Sequence, residues 1–265
     1  DFNMSDRELE YDVGTIIVAT GMELYDPTAL DEYGYTRFEN VVTSMELERL
    51  INAGGPTQGE VRRLTDGRTP ASVAFIQCVG SRSVKRGAPY CSNICCMNTI
   101  KSAIMLKDHH PDMEIKVFYT DIRAFGKGFE DLFQRCKGLG VRFIRGLPGS
   151  VKEDPETRSL TLAVENTATN KLESHQADMV VLAVGVQPPE DIKIIQEMMA
   201  LQRNSDGFYL EAHPKLLPVD SASRGVFFAG CAEGPKDIKE SVTQASAAAA
   251  RAMRLMNPLV LLAEA

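Results

Sequence analysis

Three stretches of the chain are apolar at nearly every position and close on glycine or run just past it: residues 13–21, 178–185 and 225–231. Unbroken runs of this length predict strands covered on both faces, as in a parallel sheet, and a closing glycine lets a backbone come close to a ligand. Between the first and second run, short apolar stretches alternate with segments of helical period. They predict a strand at 71–77, a helix at 98–109, a strand at 115–120, a helix at 127–137 and a strand at 141–144. Residues 158–165 and 172–175 read as a small antiparallel excursion. A short helix over 45–52 carries a start signal, Thr43 with Glu46 three places on, and a stop at Gly54-Gly55. The polar, Gly-rich stretch 55–69 reads as a linker into the βαβ region. A long Ala-rich helix is predicted over 237–256, with Asn257-Pro258 just beyond it.

Composition narrows the class without choosing a function. At 265 residues the chain is long enough for one or two packed domains, and 44% hydrophobic with 25% charged residues excludes wholesale disorder. No apolar run approaches the roughly 18 residues of a spanning helix, and the tail at 259–265 is too short. Asp1-Phe2-Asn3 lacks the basic segment and apolar run of a leader. Direct membrane insertion is therefore not expected. A net charge of −7, from 29 Lys+Arg against 36 Asp+Glu, speaks against a general nucleic-acid binder.

The cysteines are the strongest chemical signal. Cys78, Cys91, Cys95 and Cys96 follow the spacing C-x12-C-x3-C-C, whereas Cys136 falls in a helical pattern and reads as a core thiol. Neither the paired C-x2-C knuckles of a zinc ribbon nor a bacterial ferredoxin loop is present. Four thiolates are a full ligand set for a [4Fe–4S] cluster, which this spacing favours. Zinc and a set of buried or partly oxidised thiols remain as alternatives.

An expected feature is missing beside them. No G-x-G-x-x-G follows any strand, and Cys78-Val79-Gly80-Ser81-Arg82 stands where a dinucleotide fingerprint would open the helix. A nicotinamide cofactor is not expected in this region; Asp121, one acid after a strand, is too weak a sign of a ribose contact.

Three segments carry a resemblance. Residues 75–82 with Tyr90-Cys91 and Cys95-Cys96, residues 121–128, and residues 230–238 occur in the order found in the A subunits of heterodisulfide reductases. The chain resembles that family over roughly residues 11–256, and with it the flavin subunits of the quinone-interacting membrane-bound oxidoreductase complex. The resemblance implies an α/β, thioredoxin-reductase-like flavoprotein fold, with an FAD domain interrupted by a Rossmann-like βαβ domain that carries an iron–sulfur site. It implies an FAD-domain portion and linker at 1–68, the inserted domain at 69–177 and a return to the FAD domain at 178–265. The strand, G-x-G-x-x-G turn and helix that hold the ADP moiety of FAD have no counterpart here, nor do the ferredoxin-type loops of longer members, so the chain reads as a fragment.

The resemblance also assigns residues. Cys78, Cys91, Cys95 and Cys96 match the cluster ligands. Thr20 and Gly21 border the adenosine-pyrophosphate side of FAD. Gly230 and Cys231 stand where related flavoproteins carry a Gly-Asp pair, so the ribityl contact falls to backbone or to Lys236 and Asp237. The helix from Ile238 aims its first N–H groups at the isoalloxazine, and Gln244-Ala245 lie near the pyrimidine ring. Lys101, just past the cluster loop, and Glu48 are candidates for catalysis at the flavin edge, while Arg123 and Lys127 are candidates for contacting cluster, flavin or partner. No ligand role falls to a histidine. Cys231 reads as a small buried side chain in preference to a redox thiol.

The function so implied is an oxidoreductase component, active within a complex, that passes electrons between FAD and a [4Fe–4S] cluster to other subunits of a heterodisulfide-reductase-like or quinone-linked assembly. The resemblance leaves room for flavin-based bifurcation, for a homodimer, and for a cytoplasmic site that is peripheral to a membrane complex. Two alternatives stand against it. One is an ordinary pyridine-nucleotide-disulfide oxidoreductase, whose fingerprint and redox cysteine pair are absent. The other is a non-catalytic module stabilised by zinc or thiols.

Overall fold

The computed structural model describes residues 2–257 except residue 87; Pro258 and the tail 259–265 lie outside the described residues. In chain order the elements are β1 (Ile16–Val18), β2 (Glu23–Leu24), β3 (Val41–Thr43), α1 (Ser44–Ile51), β4 (Ser72–Val79), α2 (Cys95–His109), β5 (Glu114–Tyr119), α3 (Phe129–Gly138) and β6 (Arg142–Arg145). They continue with β7 (Pro148–Glu153), β8 (Leu160–Asn166), β9 (Lys171–Ala177), β10 (Met179–Val184), β11 (Val186–Gln187), α4 (Ile192–Met199), β12 (Val226–Phe228) and α5 (Ile238–Met256). The chain divides into two compact units, one of residues 23–187 and one of residues 1–22 with 188–265.

The first unit is built on a five-stranded sheet in the order β3-β10-β4-β5-β6, every pair parallel. Alternation along β4 serves two cores. Val73 and Phe75 face α1, α2 and α3, where Leu47, Ile100, Ile104 and Cys136 are buried. Ala74 and Ile76 face the other way, onto the antiparallel sheet β7-β8-β9 through Val151, Leu160 and Leu162. Three layers result, helices over parallel sheet over antiparallel sheet, which explains why β10 is apolar at all six positions and buried throughout. The capping box of α1 forms as the sequence suggests: Glu46 accepts the Thr43 N–H at 2.6 Å, and Thr43 Oγ1 accepts the Glu46 N–H at 3.3 Å.

The second unit pairs β1 with β12 in parallel, Ile16 opposite Val226 and Val18 opposite Phe228. Phe228 stacks on Tyr209, 5.3 Å between ring centres, in a core with Val18, Ile192 and Leu201. Phe227, on the opposite face of the strand, packs against Ala248 and Ala252 of α5, whose small side chains allow close approach.

Several expectations change. The run at 178–185 does not accompany 13–21 and 225–231. It becomes β10, inside the five-stranded sheet, so the breaks between units fall at 22/23 and 187/188, away from the expected 68/69 and 177/178. An apolar run closed by glycine marks any strand buried on both faces and cannot say which sheet will take it. The stretch 55–69 is no loose linker. Val61 is fully buried, and the buried Asn40 side chain accepts the N–H groups of Leu64 and Thr65 at 3.0 and 3.3 Å. β7 and α4 were not foreseen; β7 opens on Pro-Gly and has one apolar residue in its interior, so its pairing with β8 decides it.

Candidate functional site

The cysteine loop leaves the carboxyl end of β4 and returns as α2, at the edge of a parallel sheet where such folds place their chemistry. Its backbone is unusual. Cys78, Arg82 and Asn93 have φ of +58°, +56° and +64°, in the left-handed region that L residues seldom adopt, and Gly80 sits at +74°. A side chain at Gly80 would run into the Tyr25 ring, within about 2 Å. The helix begins at Cys95, earlier than predicted, which puts Cys95 and Cys96 on its first turn. There the unpaired N–H groups and the positive dipole end favour a thiolate.

All four predicted cysteines line one hollow, together with Arg82, Asp121 and Arg123. The Asn93 N–H lies 3.4 Å from Cys91 Sγ, Cys95 Sγ lies 3.5 Å from the Val184 carbonyl oxygen, and Cys96 Sγ lies 3.9 Å from that of Asp121. The hollow thus touches the ends of β10, β4 and β5. Burial pushes the Cys78 thiol up to about 11, with Cys96 and Cys91 adding to the effect and Arg82 opposing it. Cys95 is raised further by burial and by the other three thiols, and Cys96 is raised by burial against a bond from the Arg123 backbone N–H. Burial thus favours the protonated form of Cys78, Cys95 and Cys96, and any metal must displace those protons. Free volume between them is about 10 Å³, room for one water-sized atom. Among the described residues no three His, Cys, Asp or Glu side chains converge to grip a single ion. The donor set itself, four thiols with backbone N–H groups and guanidinium groups beside them, suits an iron–sulfur centre.

A set of residues that sequence reading passed over holds the loop in place. The buried Ser92 hydroxyl donates to Ser81 Oγ at 3.0 Å and accepts the Val186 N–H at 2.9 Å. Ser81 donates to the Tyr90 carbonyl at 2.9 Å, and the Tyr90 hydroxyl to the Val186 carbonyl at 3.0 Å. The glycine closing the β10 run, Gly185, makes room for these serines: a Cβ there would lie 2.9 Å from Ser92 Oγ and 3.0 Å from Ser81 Cβ. The two serines inside the cysteine segment were the available signal.

Lys101 and Glu48 do come together as an ion pair, with Asn98 donating to the same Glu48 oxygen at 2.7 Å and Ser102 at 3.5 Å. They join α1 to α2, and neither is among the described residues that line the hollow. Arg123 does line it; Lys127 lies on the exposed loop beyond.

In the other unit, the parallel strands β1 and β12 are followed by Thr20-Gly21 and Gly230-Cys231. Both glycines are left-handed, at +76° and +67°, and no described atom lies within 4 Å of a Cβ built on Gly21. Thr20 hydrogen-bonds the Tyr209 hydroxyl, whose pKa burial raises. Cys231 Sγ lies 3.4 Å from the Lys236 carbonyl, as suits a small packed side chain. Lys236 pairs with Glu233, which also accepts the Gln244 amide at 2.9 Å. The carbonyl oxygen of Gln244 is buried with no partner among the described residues, the kind of acceptor that a ligand donor satisfies. Asp237 caps α5 through a box with Glu240, while Ile238 and Ala245 are exposed on its first turns.

The fold defines the class. The chain superposes on thioredoxin reductase from T. acidophilum with a TM-score of 0.54, at 12% identity, over 92% of this chain and 65% of that one. For the Lactococcus lactis thioredoxin reductase the score is 0.56, at 16% identity over 91% and 65%. This is an α/β chain of the thioredoxin reductase fold with a cysteine loop at the sheet edge. No protein-family model matches it. It is 51% identical over 253 residues to one of the iron-sulfur A subunits of the CoB–CoM heterodisulfide reductase of Methanopyrus kandleri. It is 53% identical over 247 residues to the A subunit of the H(2):CoB-CoM heterodisulfide,ferredoxin reductase of Methanothermobacter marburgensis. These matches take in 95% and 93% of this chain but 39% and 37% of the relatives. The chain is similar to heterodisulfide reductase A subunits over nearly all of its own length and spans somewhat under two fifths of the length of these relatives. Among the described residues no helix is long and apolar enough to cross a membrane.

Proposed function

We propose that this chain is the part of a heterodisulfide-reductase-type subunit in which electrons pass between FAD and a [4Fe–4S] cluster on their way to partner subunits. One observation carries the reading: Cys78, Cys91, Cys95 and Cys96, drawn from a strand end, a loop and a helix start, line a single hollow. When bound, FAD exchanges electrons singly or in pairs, and the cluster exchanges them one at a time. The chain's own residues do the rest. The four thiols lose their protons to hold the cluster, and the first turn of α2 favours the charged form of Cys95 and Cys96. The amide groups of Asn93 and Arg123 donate to two of the sulfurs.

In the second unit, Thr20 and Gly21 border the adenosine side of FAD, and Gly230 with Cys231 offers backbone at the flavin end. Lys236, Asp237 and Ile238 shape the start of α5, and Gln244-Ala245 supply groups toward the pyrimidine ring. The buried, unpartnered Gln244 oxygen and the open space at Gly21 support that assignment. Lys101 and Glu48 brace α1 against α2 behind the cysteines in this reading. The relatives are named for a CoB–CoM heterodisulfide. Reducing such a disulfide to two thiols takes two electrons and two protons, and this chain serves the electron path to that chemistry.

The test is iron, acid-labile sulfide, zinc and flavin measured on one anaerobically purified sample. About four irons per chain, lost in Cys95→Ser and Cys96→Ser, is the expected result. Stoichiometric zinc without iron or flavin replaces this reading with that of a metal-stabilised assembly module.

A further inference from the structure

The hollow holds more than thiols. Arg82 grips Asp121 with both ends of its guanidinium, Nη1 on Oδ1 and Nη2 on Oδ2 at 3.3 Å, and the same guanidinium hydrogen-bonds Cys78. The side chain is three-quarters buried, and its backbone N–H is tied to the Tyr90 carbonyl at 2.9 Å, so its direction is fixed. Arg123 approaches the same carboxylate, Nε to Oδ1 at 3.8 Å. Two guanidinium charges and one carboxylate thus sit beside the cysteines, an excess of one positive charge.

We propose that Arg82 sets the reduction potential of the centre held by these cysteines, and that Asp121 moderates it. The inference rests on the cluster reading above. A four-iron cluster gains one electron on reduction with no charge leaving the site, so a fixed positive group bonded to a ligand sulfur favours the reduced form. Asp121 acts through Arg82: its charge offsets part of the attraction while its two oxygens hold the guanidinium in place. Asp121 is thus a positioning residue whose charge works against that of the group it positions.

This arrangement makes opposite predictions for its two members. In a dithionite titration with dye mediators, followed by electron paramagnetic resonance on iron-quantified protein, Arg82→Gln makes cluster reduction about tenfold less favourable, a fall of about 59 mV for a one-electron couple. Asp121→Asn raises the midpoint, and Arg82→Lys falls between wild type and Arg82→Gln. If the pair only clamps the loop to the strand, breaking it from either side gives shifts of the same sign. Same-sign shifts, or unmoved midpoints with iron retained, overturn the inference alone. If Arg82→Gln retains no iron, Asp121→Asn decides, and a midpoint not above wild type overturns the proposal. A wild-type protein without iron overturns the cluster reading and this inference with it.

Discussion

Replacing Gly185 with alanine should damage the cysteine loop from a distance. The φ of Gly185 is not in the left-handed region, so the backbone accepts alanine and only space is at stake. The added methyl would lie 2.9 Å from Ser92 Oγ and 3.0 Å from Ser81 Cβ, both buried and both tighter than an ordinary contact. Crowding of this kind costs about 1–3 kcal/mol. If Ser92 moves aside, the Val186 N–H that it accepts at 2.9 Å loses its partner, for about 1–3 kcal/mol more. Ser92→Ala alone carries that second cost without the crowding. In a Ser92→Ala background, Gly185→Ala should therefore cost about 1–2 kcal/mol less than it does in wild type. Because the chain has two compact units, a single melting curve does not isolate this one. Hydrogen exchange of the β4 and β10 amides reads its opening free energy directly. Unchanged protection in Gly185→Ala, or strict additivity in the double variant, refutes the reasoning.

Lys101→Met tests the bracing role of the ion pair with Glu48. Lys101 is nearly half exposed, so the loss should stay below about 1 kcal/mol, with iron content unchanged; iron lost with the charge would instead place Lys101 in the centre. On the acid side, Lys116, hydrogen-bonded to Glu114 at 3.0 Å, holds that carboxyl below the usual carboxylate range, and Arg142 contributes. The stability so gained is present above the unfolded pKa and is lost as pH falls through the lower folded value. Glu114→Gln should therefore lower stability at neutral pH and flatten its decline in acid, whereas parallel wild-type and variant pH profiles would remove Glu114 from the account.

How far the sequence could be read depended on how local each signal is. Thr43 and Glu46 lie three residues apart and their capping box formed as written. The cysteine spacing pointed to the thiol cluster, because all four residues lie between the end of β4 and the first turn of α2. Arg82 and Asp121 are 39 residues apart, and only the parallel pairing of β4 with β5 brings their ends together. Gly185 was visible as a glycine, but its reason, two serines about a hundred residues earlier, was not. The division into units was hidden for the same cause: β3 and β10 join one sheet across more than a hundred residues, and an apolar run carries no address.

The position of the cysteine loop has a further consequence. It fills the crevice at the carboxyl edge of β10, β4 and β5, where sheets of this kind ordinarily receive a carrier that arrives, reacts and departs. A centre held there by the four cysteines, as in the proposed reading, would not leave. In the proposed reading, traffic through this end of the unit has no binding step to saturate and no product to release. Its pace is governed by separation and by driving force, so the loop contributes wiring and not affinity.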